Sequence, residues 1–256
     1  MISDEILGLP SHAAYFASWD GAGITKSNIM LFIPHRRLAV LACALVSSAL
    51  SADELSLQRG KSELPKELPA ALAKLMGEES YVVRGPDGVI CEIWFAKQIP
   101  LKDGFKPTLQ VKYAIQPGEL VGVVRLPREG AAIDFRGQEL PTGVFTLRYG
   151  HQPQDGNHLG TSDVSDFLLA CALSEENDGA PIAKEKLFKM SAKAAGSSHP
   201  AIFLLLPPPA KAYGEASLKH DSEKEFWILQ CDLPGKAKDA AQALPARLVV
   251  SGQSEG

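Results

Sequence analysis

Tyr81-Val82-Val83-Arg84-Gly85-Pro86-Asp87-Gly88-Val89-Ile90-Cys91-Glu92-Ile93-Trp94-Phe95 reads as two strands and the turn between them. Both flanks are rich in β-branched and aromatic residues, and the Gly-Pro-Asp-Gly insert carries the turn chemistry that joins strands into a hairpin. Val89, Cys91, Ile93 and Phe95 fall on one face of the second strand, because successive side chains in a strand point to opposite sides.

The same signals recur outward from this hairpin. Leu109, Val111 and Tyr113 alternate with Thr108, Gln110 and Lys112, which predicts a strand with one wet face. Leu120 to Leu126 is bounded by Pro117-Gly118 and Pro127. Ile133 to Arg136 and Val144 to Tyr149 read as a pair joined through Gly137 to Gly143, with Phe145, Leu147 and Tyr149 facing a core. Phe167 to Leu173 reads as a central strand, and Ile202 to Leu206, Ala216 to Lys219, Phe226 to Cys231 and Leu248 to Ser251 complete the set.

Helices are the exception. A short one is expected from Pro65, with Leu68, Leu72 and Leu75 at helical spacing and Gly77 as its stop. A longer one runs from about Pro181 to Ala195, with Ala183, Leu187, Met190 and Ala194 as a packing stripe. Many short strands without helices between them exclude a βαβ architecture. The expected fold is mainly β, a β-sandwich or jelly roll with one or two peripheral helices.

Composition agrees with a globular chain: 45% of the 256 residues are hydrophobic and 22% charged. The net charge of -4, with no basic run or stripe, excludes a phosphate-backbone surface, so no nucleic-acid partner is expected.

The amino end carries a different pattern. Arg36-Arg37 precede an apolar run from Leu38 to Val46, followed by the small residues Ser47-Ser48-Ala49-Leu50-Ser51-Ala52. Basic, then apolar, then small is the order of a secretory signal peptide. The expected organisation is a leader at 1–52 with the signal peptide at 30–52, Met30 as an alternative start, and one β-rich domain at 53–256. Cleavage after Ala52, or after Ser51, fits the small residues. An uncleaved anchor and a lipid attached at Cys43 are the rival readings; the apolar run falls short of the about 20 residues that span a bilayer. No transmembrane span is expected in the mature chain, and the expected location is periplasmic or extracellular. Lys26, Arg36 and Arg37 balance Asp4, Glu5 and Asp20, so residues 53–256 carry the same -4. Cys91, Cys171 and Cys231 sit in apolar strand-like runs and are expected to be buried free thiols.

Phe135-Arg136-Gly137-Gln138-Glu139-Leu140-Pro141-Thr142-Gly143-Val144-Phe145-Thr146-Leu147-Arg148-Tyr149-Gly150, with Gln152 to His158 and His199 to Phe203, resembles a stretch in uncharacterised exported proteins of planctomycete-type bacteria. The shorter Leu140-Pro141-x-Gly143-x-Phe145-x-Leu147 looks like a strand entry of secreted β-sandwich domains of unknown function. The resemblance implies export and a sandwich, and no activity.

The densest polar stretch lies between Tyr149 and Asp166. Two imidazoles and a carboxylate, His151, Asp155 and His158, are the expected ligands should a divalent metal bind, with His199 or Asp163 as a further ligand or general base. His151 and His158 match no established zinc spacing, and Asp155-Gly156 and Asn157 are also ordinary turn formers. Glu92 and Trp94 share a strand face, as in a sugar-binding groove. G-x-S-x-G and Gly-rich phosphate loops are missing. The first functional expectation is therefore an exported non-catalytic module that binds a protein or glycan of the cell envelope. The second is a metal-dependent, hydrolase-like enzyme centred on His151, Asp155 and His158. A structural accessory of a larger secreted assembly is a third reading.

Overall fold

The computed structural model describes residues 54–152, 165–176 and 178–254. The expected leader at 1–52, with the expected signal peptide, and the sequence candidates Asp155, His158 and Asp163 lie outside the described residues.

The hairpin forms as β2 (Met76–Gly85) and β3 (Gly88–Ala96), closed by the Gly85↔Gly88 pair. Before it comes β1 (Ser56–Lys61), an exposed polar strand that shows no alternation in the sequence. The chain continues through β4 (Ile99–Pro100), β5 (Leu120–Leu126), β6 (Gly143–His151), β7 (Asp166–Ala172), β8 (Ala201–Leu206), β9 (Ser217–Asp221), β10 (Phe226–Ala237) and β11 (Ala240–Ser251). The fold is mainly β.

The sandwich and jelly-roll expectation is corrected to a barrel-like form. Among the described residues the strands make a single 11-stranded sheet in the order β1-β2-β3-β5-β6-β7-β8-β11-β10-β4, with β9 also paired to β10, on the edge away from β11 that β4 shares. The sheet is antiparallel apart from the short β4–β10 pairing and curls until it is nearly closed. One buried cluster collects Tyr81, Cys91 and Ile93 from its beginning and Leu229, Cys231 and Leu244 from its end. Two separate sheets would share no ladder, whereas here hydrogen bonding runs unbroken along the path.

Closure explains the alternation. Phe145, Leu147 and Tyr149 of β6, and Leu168 and Ala170 of β7, point into the central cluster. Leu169 and Cys171 point outward onto Leu187 and Met190 of α2 (Lys184–Ala194). With both faces covered, β7 reads as a continuous apolar run. Its neighbour β6 carries Thr146 and Arg148 outward, and these are buried as well. Glu176 meets both. Arg148 donates to Glu176 at 2.7 and 2.5 Å and to the carbonyls of Gly118 and Ala180 at 2.8 Å each, while the Thr146 hydroxyl donates to Glu176 at 2.6 Å. This brace ties the chain after β7 to the outside of the barrel.

Three expected elements differ. Thr108 to Tyr113 is irregular chain, and Leu109 is 90% exposed. Ile133 to Arg136 is a turn, because the Asp134 carboxylate takes the N–H groups of Arg136 and Gln138 and bends the chain; only the isolated Ile133↔Glu139 bridge remains. The first helix, α1, shrinks to Ala70–Ala73, and Gly77 belongs to β2. A side chain at Gly77 would press on the Phe95 carbonyl, so the glycine serves strand contact, not helix capping.

Candidate functional site

Tyr149 and His151 lie two apart on β6 and so share its inward face. Asp166, the first residue of β7, is the cross-strand partner of His151. The three meet where the polar stretch leaves and re-enters the sheet. Tyr149 and Asp166 are fully buried and His151 is half-buried. The Tyr149 hydroxyl donates to Asp166 Oδ1 and lies 2.9 Å from His151 Nε2, and the two rings meet edge to face. Asp166 Oδ2 also accepts the Lys112 N–H at 2.7 Å, and Oδ1 the Tyr113 N–H at 3.4 Å.

Tyr113 carries the network on to the junction of β8 and β11. Its hydroxyl donates to the Leu206 carbonyl at 2.8 Å and accepts the Arg247 N–H at 3.1 Å. Leu206 and Arg247 are register partners in the ladder between β8 and β11, which has only two pairs. A tyrosine hydroxyl is thus spliced into the ladder where these strands part. The segment Gln110 to Ile115 crosses this end of the barrel, held also by the Ser165 N–H on the Gln110 carbonyl at 2.9 Å.

Burial sets the protonation of the site. It lowers the His151 pKa to about 4, helped by the positive charges of Lys102 and Lys184, so the imidazole is neutral at pH 7. Burial raises the Tyr113 and Tyr149 hydroxyls above the usual phenol range, and the Asp166 charge pushes the same way. Burial also raises the Asp166 carboxyl, against the donors that hold its ionised form.

His199 does not join this group. It is exposed just before β8, with Nδ1 2.9 Å from the Ser198 hydroxyl. Ala201 pairs with Ala170, four residues along β7 from Asp166, so about 13 Å of strand separates the two levels. Of the four metal candidates the structure therefore places His151 at one end and His199 towards the other. Among the described residues no three His, Cys, Asp or Glu side chains are grouped to hold a metal.

Glu92 and Trp94, the pair that a sugar-binding groove would use, are buried and present no open face. Trp94 is fully buried, the Arg125 guanidinium lies 5.9 Å from its ring centroid, and Glu92 is paired with Arg125 and accepts the Ser62 hydroxyl at 2.8 Å. Cys91, Cys171 and Cys231 are buried and unbridged, as expected, and burial pushes each thiol up to about 12. Sequence reasoning found His151 but not its partners. Tyr149 was legible through its two-residue spacing to His151, whereas Tyr113 gave no signal beyond that of a core residue.

No family model, curated protein or solved structure matches the chain. Among the described residues no helix is long and apolar enough to cross a membrane.

Proposed function

We propose that this chain is an exported, non-catalytic β module that binds a protein or glycan of the cell envelope, using the barrel end around His151. One observation carries the non-catalytic part. Glu92, Asp134, Arg148, Asp166 and Glu176 are the buried charged side chains among the described residues, and each is tied to named partners. Asp134, for example, accepts from Arg136, Gln138 and Ile202. Groups committed in this way brace a scaffold. The basic, apolar and small order of residues 36–52, and the resemblance to exported planctomycete-type proteins, support export to the periplasm or medium.

The test has two arms. Full-length protein produced in a bacterial host should be recovered outside the cytoplasm with its amino terminus near Asp53. It should also co-sediment with isolated envelope polymer or bind a purified envelope protein. Retention in the cytoplasm with residues 30–52 intact contradicts export, and failure to bind any envelope fraction contradicts the binding role.

A second reading, a metal-dependent hydrolase centred on His151, Asp155 and His158, is favoured by one observation. His151 is a neutral imidazole fixed at the mouth of the polar stretch, the form in which histidine ligates a metal. Hydrolysis of generic ester substrates that chelators abolish and zinc restores would support it.

A further inference from the structure

Leu109 is 90% exposed, and the other exposed large hydrophobic side chain among the described residues, Leu75 just before β2, is only 39% exposed. A leucine on a loose loop folds back onto the surface to leave water, but Leu109 is held out. It is the second residue of the turn Thr108 to Val111. The Thr108 N–H donates to the Val111 carbonyl at 2.9 Å, and the Thr108 hydroxyl oxygen accepts the Val111 N–H at 3.0 Å. The Lys112 ammonium donates to the Thr108 carbonyl at 2.7 Å. The Gln110 carbonyl takes the Ser165 N–H at 2.9 Å and Asp166 takes the Lys112 N–H, which anchors the turn to the start of β7. The surroundings are basic. Leu101 to Tyr113 holds Lys102, Lys106 and Lys112 against one acid, Asp103, which is paired with Lys238 at 3.2 Å. Lys106 is exposed, and the Lys102 ammonium lies 5.9 Å from the Phe105 ring centroid. In a chain of net charge -4 this turn reverses the sign locally.

We propose that the Leu109 turn is a peripheral docking point for an anionic lipid surface, with the leucine entering the acyl boundary and the lysines meeting the headgroups. Two features favour a bilayer over a protein partner. A stable protein interface covers about 800 Å2 on each side around an apolar core, and lysine is depleted there. Leu109 instead stands between the exposed polar residues Thr108 and Gln110, with lysines nearby. A bilayer needs no matching shape: it accepts a single apolar side chain and attracts lysines to its anionic surface. One leucine and three lysines predict weak, reversible docking that salt releases. The face is the barrel end proposed above for envelope binding, but the occupant differs. A null result with lipid therefore leaves the protein or glycan reading standing.

The test is co-sedimentation of the full chain with vesicles of phosphatidylcholine alone and of equal parts phosphatidylcholine and phosphatidylglycerol. Because the apolar run Leu38 to Val46 can itself enter a bilayer, the difference between variants decides, not binding alone. The wild type is expected to prefer the anionic vesicles and to lose that preference at high salt. Leu109→Ser should weaken partition into them about tenfold, and Lys106→Ala about fivefold. Lys219→Ala, at an exposed lysine of β9, should change nothing. In Leu109→Trp the emission should shift to the blue on anionic vesicles, beyond any shift of the wild type. Each substituted side chain is exposed, so the variants are expected to fold. Undiminished partition of Leu109→Ser, equal binding to both vesicles, or no additional blue shift in Leu109→Trp overturns the proposal. So does loss of envelope-fraction binding in Leu109→Ser when no vesicle binds the wild type, because the leucine then seats in a protein.

Discussion

At the scale of single residues, the side chains that matter most to this fold are polar and buried. Arg148 and Glu176 are each 1% exposed, and their mutual hydrogen bonds, with those to Gly118, Ala180 and Thr146, satisfy charges that would otherwise be stranded. Removing one partner leaves the other charged and dry. Glu176→Ala is therefore expected to cost about 3–5 kcal/mol, whereas an apolar replacement of both partners costs far less; urea unfolding of the two variants checks this. Thiol chemistry follows from burial in the same way. With pKa values near 12, about one part in ten thousand of Cys91, Cys171 and Cys231 is thiolate at pH 8. Thiol reagents are expected to label the three only as fast as the protein unfolds, and rapid labelling in native buffer would count against the burial.

At the scale of elements, the β8–β11 junction is a thin part of the barrel. Two register pairs join the strands, and the Tyr113 hydroxyl stands between Leu206 and Arg247. Tyr113→Phe strips a donor and an acceptor from two partly buried backbone groups, at an expected cost of about 1 kcal/mol. Hydrogen exchange should speed at the Arg247 amide and stay slow along β5 and β6. Much of the element list was legible beforehand. The turn between β2 and β3, the proline-bounded β5, and the apolar run of β7 announce themselves through short-range chemistry. The losses have physical causes. Thr108 to Tyr113 alternates like a strand, but Asp166 and the barrel mouth claim its backbone donors, so it pairs with nothing in the sheet. Ile133 to Arg136 is apolar at its start, yet the Asp134 side chain bends it. In β1, exposed on nearly every residue, no pattern exists to read; pairing with β2 makes it a strand.

At the scale of the whole molecule, sequence periodicity identifies buried and wet faces but not how many sheets carry them. That is why alternation suggested a sandwich while the strands close into one barrel-like sheet. The same limit applied to the site. His151 stood out as a loop histidine, but its meaning depends on Tyr149 and Asp166, which only the β6–β7 pairing brings beside it. That end should also shape stability against pH. His151 has a pKa of about 4 in the folded chain and about 6.5 when unfolded, so between these values the unfolded chain binds more protons. The contribution is fully present above about pH 6.5 and is lost as pH falls towards 4, on the order of 1 kcal/mol after solvent screening at a half-buried site. With chelator present, His151→Gln should flatten the stability profile in that window, and an unchanged slope would contradict the burial of a neutral imidazole.

The central claim is that the barrel is scaffold and the His151 end is its working face. Hydrogen exchange of the full chain, with and without an isolated envelope fraction, tests this most directly. New protection should be confined to residues 110–115, 150–152 and 165–167. Protection centred on His199 or on the β10–β11 turn, with that end unchanged, would contradict it.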